Sequence, residues 1–226
     1  MGACIICLDT SPPPIRSGCA CRGDSALAHV HCLAQVAASQ QAKRGNQIWK
    51  HCQTCQQEFT GAMRAGLAEV WRARVAGQAA ESADRLAAEA NLAEILLWDE
   101  HGKHVEAERR LRDLHKAHIR VFGTGHLETL AVQGNLAYSL SGQDKYPEAE
   151  AIVRELLGAY TRLLGAEHPL TLKAANHLGG CLSSQGKYAE AETFQRELLE
   201  VRKRVLGAAH ASTLATASNL AEQQSE

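Results

Sequence analysis

Apolar side chains recur at helical spacing through the last two-thirds of the chain. Val153, Leu156, Leu157 and Tyr160 follow one another at steps of one or three residues, which places them on one face of a helix. A second face of this kind consists of Phe194, Leu198, Val201 and Val205. Both faces are predicted to form the core between packed helices.

The pattern repeats with a period of 42 residues, and three copies are visible. A Glu-Ala-Glu triplet, a glycine and a histidine return in register, at Glu106, Glu148 and Glu190, at Gly123, Gly165 and Gly207, and at His126, His168 and His210. Such regularity is the signature of stacked units, each too small to bury its apolar face alone.

Each unit is predicted to contain two helices, at residues 127–141 and 147–163 in the middle copy. Gly165 ends the second helix because glycine accepts the backbone angles of a helix C-cap, and Pro169 begins the next helix where no amide donor is needed. Ala107, Ala149 and Ala191 are predicted to lie where helices cross closely.

The repetition also decides how the polar residues are interpreted. One histidine in each stacked unit does not converge on a single site, so His126, His168 and His210 are predicted to cap or pack the same turn. Glutamates at positions i and i+2 do not face each other on a helix, so the Glu-Ala-Glu pairs are interpreted as a solvated face. Cys181 is predicted to be a small buried residue.

Residues 1–60 have few apolar side chains but contain seven of the eight cysteines. With one histidine, they form four close pairs, Cys4 with Cys7, Cys19 with Cys21, His29 with Cys32, and Cys52 with Cys55. Such pairs on separate loops are what tetrahedral Zn²⁺ requires, and eight ligands for two ions leave no position for a catalytic water. The pattern predicts two structural Zn²⁺ ions that replace the missing core.

Two groupings of these pairs are open. In the interleaved grouping, site 1 is formed by Cys4, Cys7, His29 and Cys32, and site 2 is formed by Cys19, Cys21, Cys52 and Cys55. In the sequential grouping, the first two pairs share one ion and the last two pairs share the other. The order of the ligands favours interleaving, but spacing alone leaves both open.

Composition narrows the possible partners and the compartment. The net charge is −1, so no basic field points to nucleic acid. No stretch approaches the ~18 consecutive apolar residues of a membrane span. Because we find no export signal and the number of cysteines other than Cys181 is odd, a disulfide framework is disfavoured and a cytoplasmic location is expected, with the nucleus as the other reducing compartment.

These observations predict a mostly α chain with three parts. Residues 1–60 form a small zinc-binding domain, in which the run from His29 to residue 44 is one helix that ends before Gly45. Residues 61–80 form a connecting helix that looks like half of a degenerate repeat. Residues 81–226 form an all-α solenoid of three repeats and a final single helix.

The ligand series resembles that of a RING-CH (variant RING) zinc finger. The one-residue gap between Cys19 and Cys21, the seven residues before His29 and the string CRGDSALAHVHCL carry this likeness, which covers about a quarter of the chain. It implies a cross-braced domain with RING-type E3 ubiquitin ligase activity. Such a domain recruits a ubiquitin-charged conjugating enzyme and positions its thioester without a covalent intermediate, so no catalytic residue is expected.

The resemblance also implies four contacts with the conjugating enzyme. Ile6 matches the apolar contact between the first two ligands, and Leu33 matches the apolar residue after the sixth. Val36 stands where many family members have tryptophan, and Gln56 follows the last ligand where a basic residue often stabilises ubiquitin. These two departures favour weak activity or none.

The 42-residue units, at residues 86–226, are similar to tetratricopeptide repeats of the kinesin light chain type, with GKYAEAETFQRELLEVRKRVLGAAHASTL as the best copy. This likeness implies a concave groove that binds a substrate protein or peptide, with Asn91, Asn135 and Asn219 at groove positions. The expected function is an E3 ligase whose repeats select the substrate. The alternative is a non-enzymatic, zinc-binding interaction adaptor.

Overall fold

The computed structural model describes residues 2–16, 18–19, 21, 27–98 and 103–223. The chain forms two compact units, Met1–Asp99 and Glu100–Glu226. The described part of the first unit contains β1 Ile15–Arg16, β2 Leu27–Ala28, α1 Val30–Arg44, a 3₁₀ helix Asn46–Trp49, α2 Gly61–Val75 and α3 Ala83–Leu97. The second unit contains α4 His104–Phe122, α5 Leu127–Ser141, α6 Tyr146–Leu164, α7 Pro169–Ser184, α8 Tyr188–Leu206 and α9 Ala211–Gln223.

The first unit combines a small antiparallel sheet with three helices. Ile15 in β1 pairs with Ala28 in β2, and α1 follows directly. The predicted helix from His29 to residue 44 is confirmed, and it ends at Gly45, whose φ of 69° few other residues adopt. At Gly66, a Cβ atom would lie 2.9 Å from the Val30 side chain, so this glycine lets α2 approach α1 closely.

One core runs through the whole first unit. It joins the cysteine-rich segment to α2 and α3, and it includes Cys32, Trp49, Phe59, Met63, Leu67, Trp71, Val75 and Ala88. The compact unit therefore extends to Asp99, whereas the sequence suggested a zinc domain ending at residue 60 and a solenoid beginning at residue 81. The physical reason is that Met63, Leu67 and Trp71 of α2 are fully buried in one core with residues of the cysteine-rich segment and of α3.

Two stacked tryptophans lie at the centre of this core. The ring centroids of Trp49 and Trp71 are 5.6 Å apart and the rings are nearly parallel. Trp71 Nε1 donates to Asp84 Oδ1 at 3.1 Å, and Trp49 Nε1 donates to Gln41 Oε1 at 3.1 Å. Gln41 Nε2 also donates to Asp84 Oδ1 at 2.6 Å, so one polar network ties α1 to the start of α3.

The helix pairs of the second unit follow the predicted repeat. α5 spans Leu127–Ser141 and α6 spans Tyr146–Leu164, against predictions of 127–141 and 147–163. Gly165 at the end of α6 has a φ of 92°, which confirms its predicted role. His126 and His168 accept hydrogen bonds from the amides of Glu128 and Leu170, so the prediction that these histidines cap the turn is confirmed.

Small residues that were predicted to pack between helices are buried in the second unit. Ala107, Ala149 and Ala191 are fully buried, and the Cys181 side chain is 1% exposed. A larger side chain at any of the three alanines would overpack the helix crossing.

In the first two Glu-Ala-Glu triplets, the second glutamate contacts the following repeat. Glu108 on α4 accepts hydrogen bonds from Gln143 Nε2 at 2.7 Å and Lys145 Nζ at 2.8 Å. Glu150 on α6 accepts from Gln185 at 2.5 Å and Lys187 at 2.7 Å, one period later. The Glu150 side chain is 5% exposed, so the prediction of a solvated face is wrong here: the carboxylates face the next turn.

The Glu108 carboxylate makes this contact between repeats sensitive to acid. Hydrogen bonding from Lys145 outweighs burial and, with Gln143 and Arg112, lowers the pKa of Glu108 from 4.5 to about 2. Because the pKa is lower in the folded state, the stabilisation is fully present above pH 4.5 and is lost as the pH falls towards 2. We expect Glu108→Gln to lower the free energy of unfolding of the second unit by about 1–3 kcal/mol at neutral pH.

Urea unfolding of the full chain at several pH values measures this effect. The difference between wild type and Glu108→Gln should shrink as the pH falls from 4.5 towards 2. Glu106→Gln is the matched control on the same helix, because the Glu106 carboxylate pairs with Arg110 within its own exposed helix face. A difference that stays constant across this pH range would contradict the role of Glu108.

Among the described residues, no helix combines the length and apolar character that crossing a membrane requires.

Candidate metal centres and interaction surfaces

Site 1 is formed where the N-terminal loop meets the start of α1. Cys4 and Cys7 lie on a tight turn in which the Leu8 amide donates to the Cys4 carbonyl at 2.9 Å. His29 is the residue before α1, and Cys32 lies in its first turn. The candidate ligand atoms of Cys4, Cys7, His29 and Cys32 all lie within 4.8 Å of one another.

The orientation of His29 identifies its ligand atom. Its Nε2 lies 2.6 Å from the carbonyl oxygen of Pro12, which only accepts hydrogen bonds, so Nε2 carries the proton. Its Nδ1 lies 3.3 Å from Cys7 Sγ and 3.7 Å from Cys32 Sγ. Nδ1 therefore offers its lone pair to the cluster, while the Pro12 carbonyl fixes the tautomer and the ring.

Site 2 is formed by two loops that are distant in sequence. Cys52 and Cys55 lie on a turn closed by the Gln56 amide and the Cys52 carbonyl at 2.9 Å. Cys21 Sγ lies 3.7 Å from Cys52 Sγ, and the four ligand atoms, with Cys19, lie within 4.8 Å of one another.

Gly18 brings the two loops of site 2 together. Its φ is 71°, and a Cβ atom there would lie 2.2 Å from Thr60 Oγ1. The Thr60 hydroxyl donates to the Gly18 carbonyl at 2.9 Å, which anchors the loop that carries Cys19 beside the start of α2. Only glycine meets both requirements, the positive φ and the close approach.

The arrangement corresponds to the interleaved grouping, since each cluster combines pairs separated by another pair. All eight cysteines are free thiols. Three thiols with an imidazole, and four thiols, are donor sets that suit Zn²⁺, and four protein ligands complete a tetrahedron. The residues therefore fit structural metal sites with no open coordination position.

The electrostatics of the thiols also fits a cation. Burial raises the pKa of Cys4, but the backbone N–H groups of Cys7, His29 and Ile6 outweigh it and lower the pKa to about 6. Hydrogen bonding by Cys19 and Cys52 raises the pKa of Cys21 to about 12. Thiolates this close repel one another, so a bound cation is needed to hold all of them ionised.

The positions expected to contact a conjugating enzyme lie around these clusters. Ile6, between the two ligands of the first turn, is 39% exposed. Leu33 and Val36 on α1 are half-buried. Gln56 is exposed with a φ of 60°, and its side-chain amide donates to the Gln53 carbonyl at 2.9 Å.

The three asparagines expected in a groove occupy different environments. Asn135 on α5 and Asn219 on α9 are half-buried. Asn91 lies on α3 in the first unit and is 1% exposed, so it does not line an open groove there. The sequence placed it by repeat register, but α3 packs its face into the core of the first unit.

A polar cluster on α5 and α7 was not anticipated. The Tyr138 and His177 rings stack with centroids 3.9 Å apart, and Lys173 Nζ lies 5.4 Å from the Tyr138 centroid. The hydroxyl of Ser141 lies 2.8 Å from His177 Nε2, and burial lowers the pKa of His177 to about 4, so this imidazole is neutral at physiological pH. The repeat register could have pointed to this cluster, because His177 falls where the other repeats have Asn135 and Asn219.

Arg202 on α8 forms hydrogen bonds to α7, the helix that carries His177. It is 5% exposed on α8 and donates from Nη1 to Asn176 Oδ1 at 3.0 Å and from Nη2 to the Leu172 carbonyl at 2.9 Å. Nη1 also reaches the Ser212 carbonyl of α9 at 2.7 Å. By donating to these neutral acceptors, Arg202 orients the Asn176 amide and links α7, α8 and α9.

Comparison with known proteins agrees with the architecture of the second unit. A family model described as Tetratricopeptide repeat matches residues 129–204 and 170–224. Residues 129–224 contain tetratricopeptide repeats. Among curated proteins, none matches significantly.

Several solved structures have a similar fold. Two crystal structures of nearly identical TPR-like repeats of a Podosopora anserina kinesin light chain each cover 87% of this chain and 85% of their own, at 20% identity and TM-scores of 0.61 and 0.60. The structure of BtubC (BKLC) from P. vanneervenii has a TM-score of 0.59 at 16% identity, covering 87% of this chain and 70% of its own. At these identities, the likeness establishes the fold alone, which is kinesin-light-chain-like.

Proposed function

We propose that the protein is an interaction adaptor that acts as a RING-type E3 ubiquitin ligase. In this proposal its tetratricopeptide repeats bind a substrate protein, and its metal-binding module recruits a ubiquitin-charged conjugating enzyme. The observation that carries the ligase proposal is the pair of interleaved Cys/His clusters, with the exposed Ile6 between two ligands of site 1.

The position of Ile6 supports a docking role. An apolar side chain on a loop normally becomes buried or moves with the loop, but the flanking Cys4 and Cys7 hold this loop to His29 and Cys32. Zn²⁺ would supply only a rigid cross-link between these ligands. The loop then offers Ile6 as a fixed apolar contact, and rigid presentation lowers the entropy lost when a partner binds.

Catalysis by such a module is positioning. The expected role of the chain is to hold the conjugating enzyme so that its thioester meets a substrate lysine, and no side chain here takes part in bond making. Gln56 is uncharged and its amide is hydrogen-bonded to Gln53, so any contact it makes with ubiquitin would be weaker than that of a cation.

Self-ubiquitination assays with a panel of conjugating enzymes test the ligase proposal. We expect Ile6→Ala to reduce the rate at least about tenfold, which corresponds to about 1.4 kcal/mol of lost binding, while metal content stays at the wild-type value. Ile5→Ala is the matched control, because Ile5 is the neighbouring exposed isoleucine of the same loop. Equal loss in both variants, or no effect of Ile6→Ala in an active protein, would contradict docking through Ile6.

A non-enzymatic adaptor is the second candidate, and Val36 and Gln56 favour it. Both positions lack the side chains that RING-CH ligases often use there. In that case, the wild-type chain should be inactive with every conjugating enzyme of the panel, while the full chain still captures a protein partner. Loss of that capture in Asn135→Ala would support peptide binding by the repeats in either candidate.

A further inference from the structure

A pocket of about 560 Å³ lies in the second unit between α4 and α6, with α5 beneath it. Ile119, Leu130 and Leu163 supply apolar walls, and Gly125 and Arg162 line one part of it. We call this the α4–α6 pocket. No residue of the polar cluster formed by Tyr138, Lys173 and His177 lines this pocket.

Arg162 brings an unpaired positive charge to this pocket. Within the described part of the chain, its guanidinium forms no hydrogen bond and no ion pair. Glu155 also lines the pocket, two helical turns earlier on α6, and the two do not pair. A pocket with both apolar walls and an unpaired guanidinium in its lining favours a ligand that has an apolar part and an anionic group.

In the next repeat, the equivalent arginine has a carboxylate partner. One period later, Arg204 takes the place of Arg162, and Glu167 takes the place of Gly125. Arg204 Nη2 forms an ion pair with Glu167 Oε1. Between α6 and α8, the chain thus supplies its own carboxylate to the arginine. Between α4 and α6, Gly125 has no side chain to fill the space, and Arg162 has no carboxylate partner there.

The remaining lining residues agree with an open pocket between α4 and α6. His115 and Gln133 line the α4–α6 pocket, and their counterparts one period later are Leu157 and Ala175, both of which pack into the apolar core. Glu155 has the counterpart Glu197, so this carboxylate is common to both repeats and does not explain the difference.

We propose that the α4–α6 pocket binds a segment of a protein partner through an acidic side chain and a neighbouring apolar side chain. The partner's carboxylate pairs with Arg162 as Glu167 pairs with Arg204, and its apolar neighbour contacts Ile119, Leu130 and Leu163. Glu155 repels a carboxylate, so the acidic group enters at the Arg162 end. This site is independent of the proposed ligase activity.

Peptide titration of the full chain, followed by NMR of backbone amides, tests the site. The probes are acetyl-Leu-Glu-Leu-amide and the same peptide with Gln or Lys in the middle. We expect the Glu peptide to shift the amides of Thr124, Gly125 and Leu163, with a dissociation constant on the order of millimolar, and the Gln peptide to bind at least about fivefold more weakly.

Three variants test whether the charge of Arg162 determines which peptide binds. Arg162→Gln should weaken the Glu peptide at least about fivefold, and Arg162→Glu should reverse the preference towards the Lys peptide. Gly125→Glu should also weaken the Glu peptide, because it supplies an internal carboxylate. Arg204→Gln is the matched control and should leave binding unchanged.

Four outcomes would overturn the proposal. These are equal affinity for the Glu and Gln peptides, equal effects of Arg162→Gln and Arg204→Gln, shifts that map outside the pocket, or no shifts with about 10 mM peptide, which would exclude even weak binding.

Discussion

Removal of metal is expected to unfold the whole first unit, well beyond the cysteine-rich segment. Structural Zn²⁺ contributes on the order of 10 kcal/mol to the folding of small modules. Here the same core that contains Cys32 and Trp49 also buries Trp71 of α2 and Ala88 of α3, so these helices lose their packing when the ligands separate. Hydrogen exchange read by mass spectrometry should show lost protection in α1, α2 and α3 after chelation.

Cysteine variants separate this effect from general thiol chemistry. Cys32→Ser should release metal and expose the first unit, whereas Cys181→Ser, at a buried cysteine outside both clusters, should retain metal and protection in that unit. Peptides from α7 and α8 should stay protected after chelation, because the second unit has its own cores. Protection that persists in α2 and α3 after metal loss would mean that they fold without the clusters.

Trp71→Ala is expected to cost the first unit about 3–5 kcal/mol, the usual range for removing a large aromatic side chain from a core. Trp71 is fully buried, stacks on Trp49 and donates to Asp84. Its loss therefore leaves a cavity beside the metal-binding segment and removes the donor to Asp84. Chemical unfolding monitored by metal release to a colorimetric chelator measures the change.

Two further variants separate the contributions of Trp71. Trp71→Phe keeps an aromatic ring but not the N–H group, so it should recover part of the stability. Trp98→Ala is the control for replacing a tryptophan of the same unit, because the Trp98 side chain is 63% exposed and its loss should cost far less. A similar loss in Trp71→Ala and Trp98→Ala would contradict a shared core centred on Trp71.

The features that sequence predicted well are local ones. The limits of α5 and α6, the cap at Gly165 and the capping histidines follow from residues within one or two helical turns of each other. The spacing predicted the four close ligand pairs, because each pair needs only a short loop, and it left two ways of combining them into sites. Which pairs meet depends on the path of the chain between them, and this path is set by contacts such as Gly18 with Thr60.

The features that sequence did not predict depend on residues far apart in the chain. α3 has the repeat's apolar spacing, but it packs in the first unit because Asp84 and Ala88 meet α1 and α2. Glu108 looks exposed on its own helix, and only the following turn, with Gln143 and Lys145, makes it a joint between repeats. Periodicity gives the face of a helix but not the partner that covers it.

The two interleaved metal sites are tested most directly by cadmium NMR of cadmium-substituted Cys7→His. In the interleaved grouping, the variant should show one resonance typical of four sulfur ligands and a second shifted by two nitrogen ligands, because His29 and the new histidine share site 1. In the sequential grouping, each ion would have three sulfur ligands and one nitrogen. Two resonances of that mixed type, or fewer than two bound ions in the wild-type protein, would contradict the account.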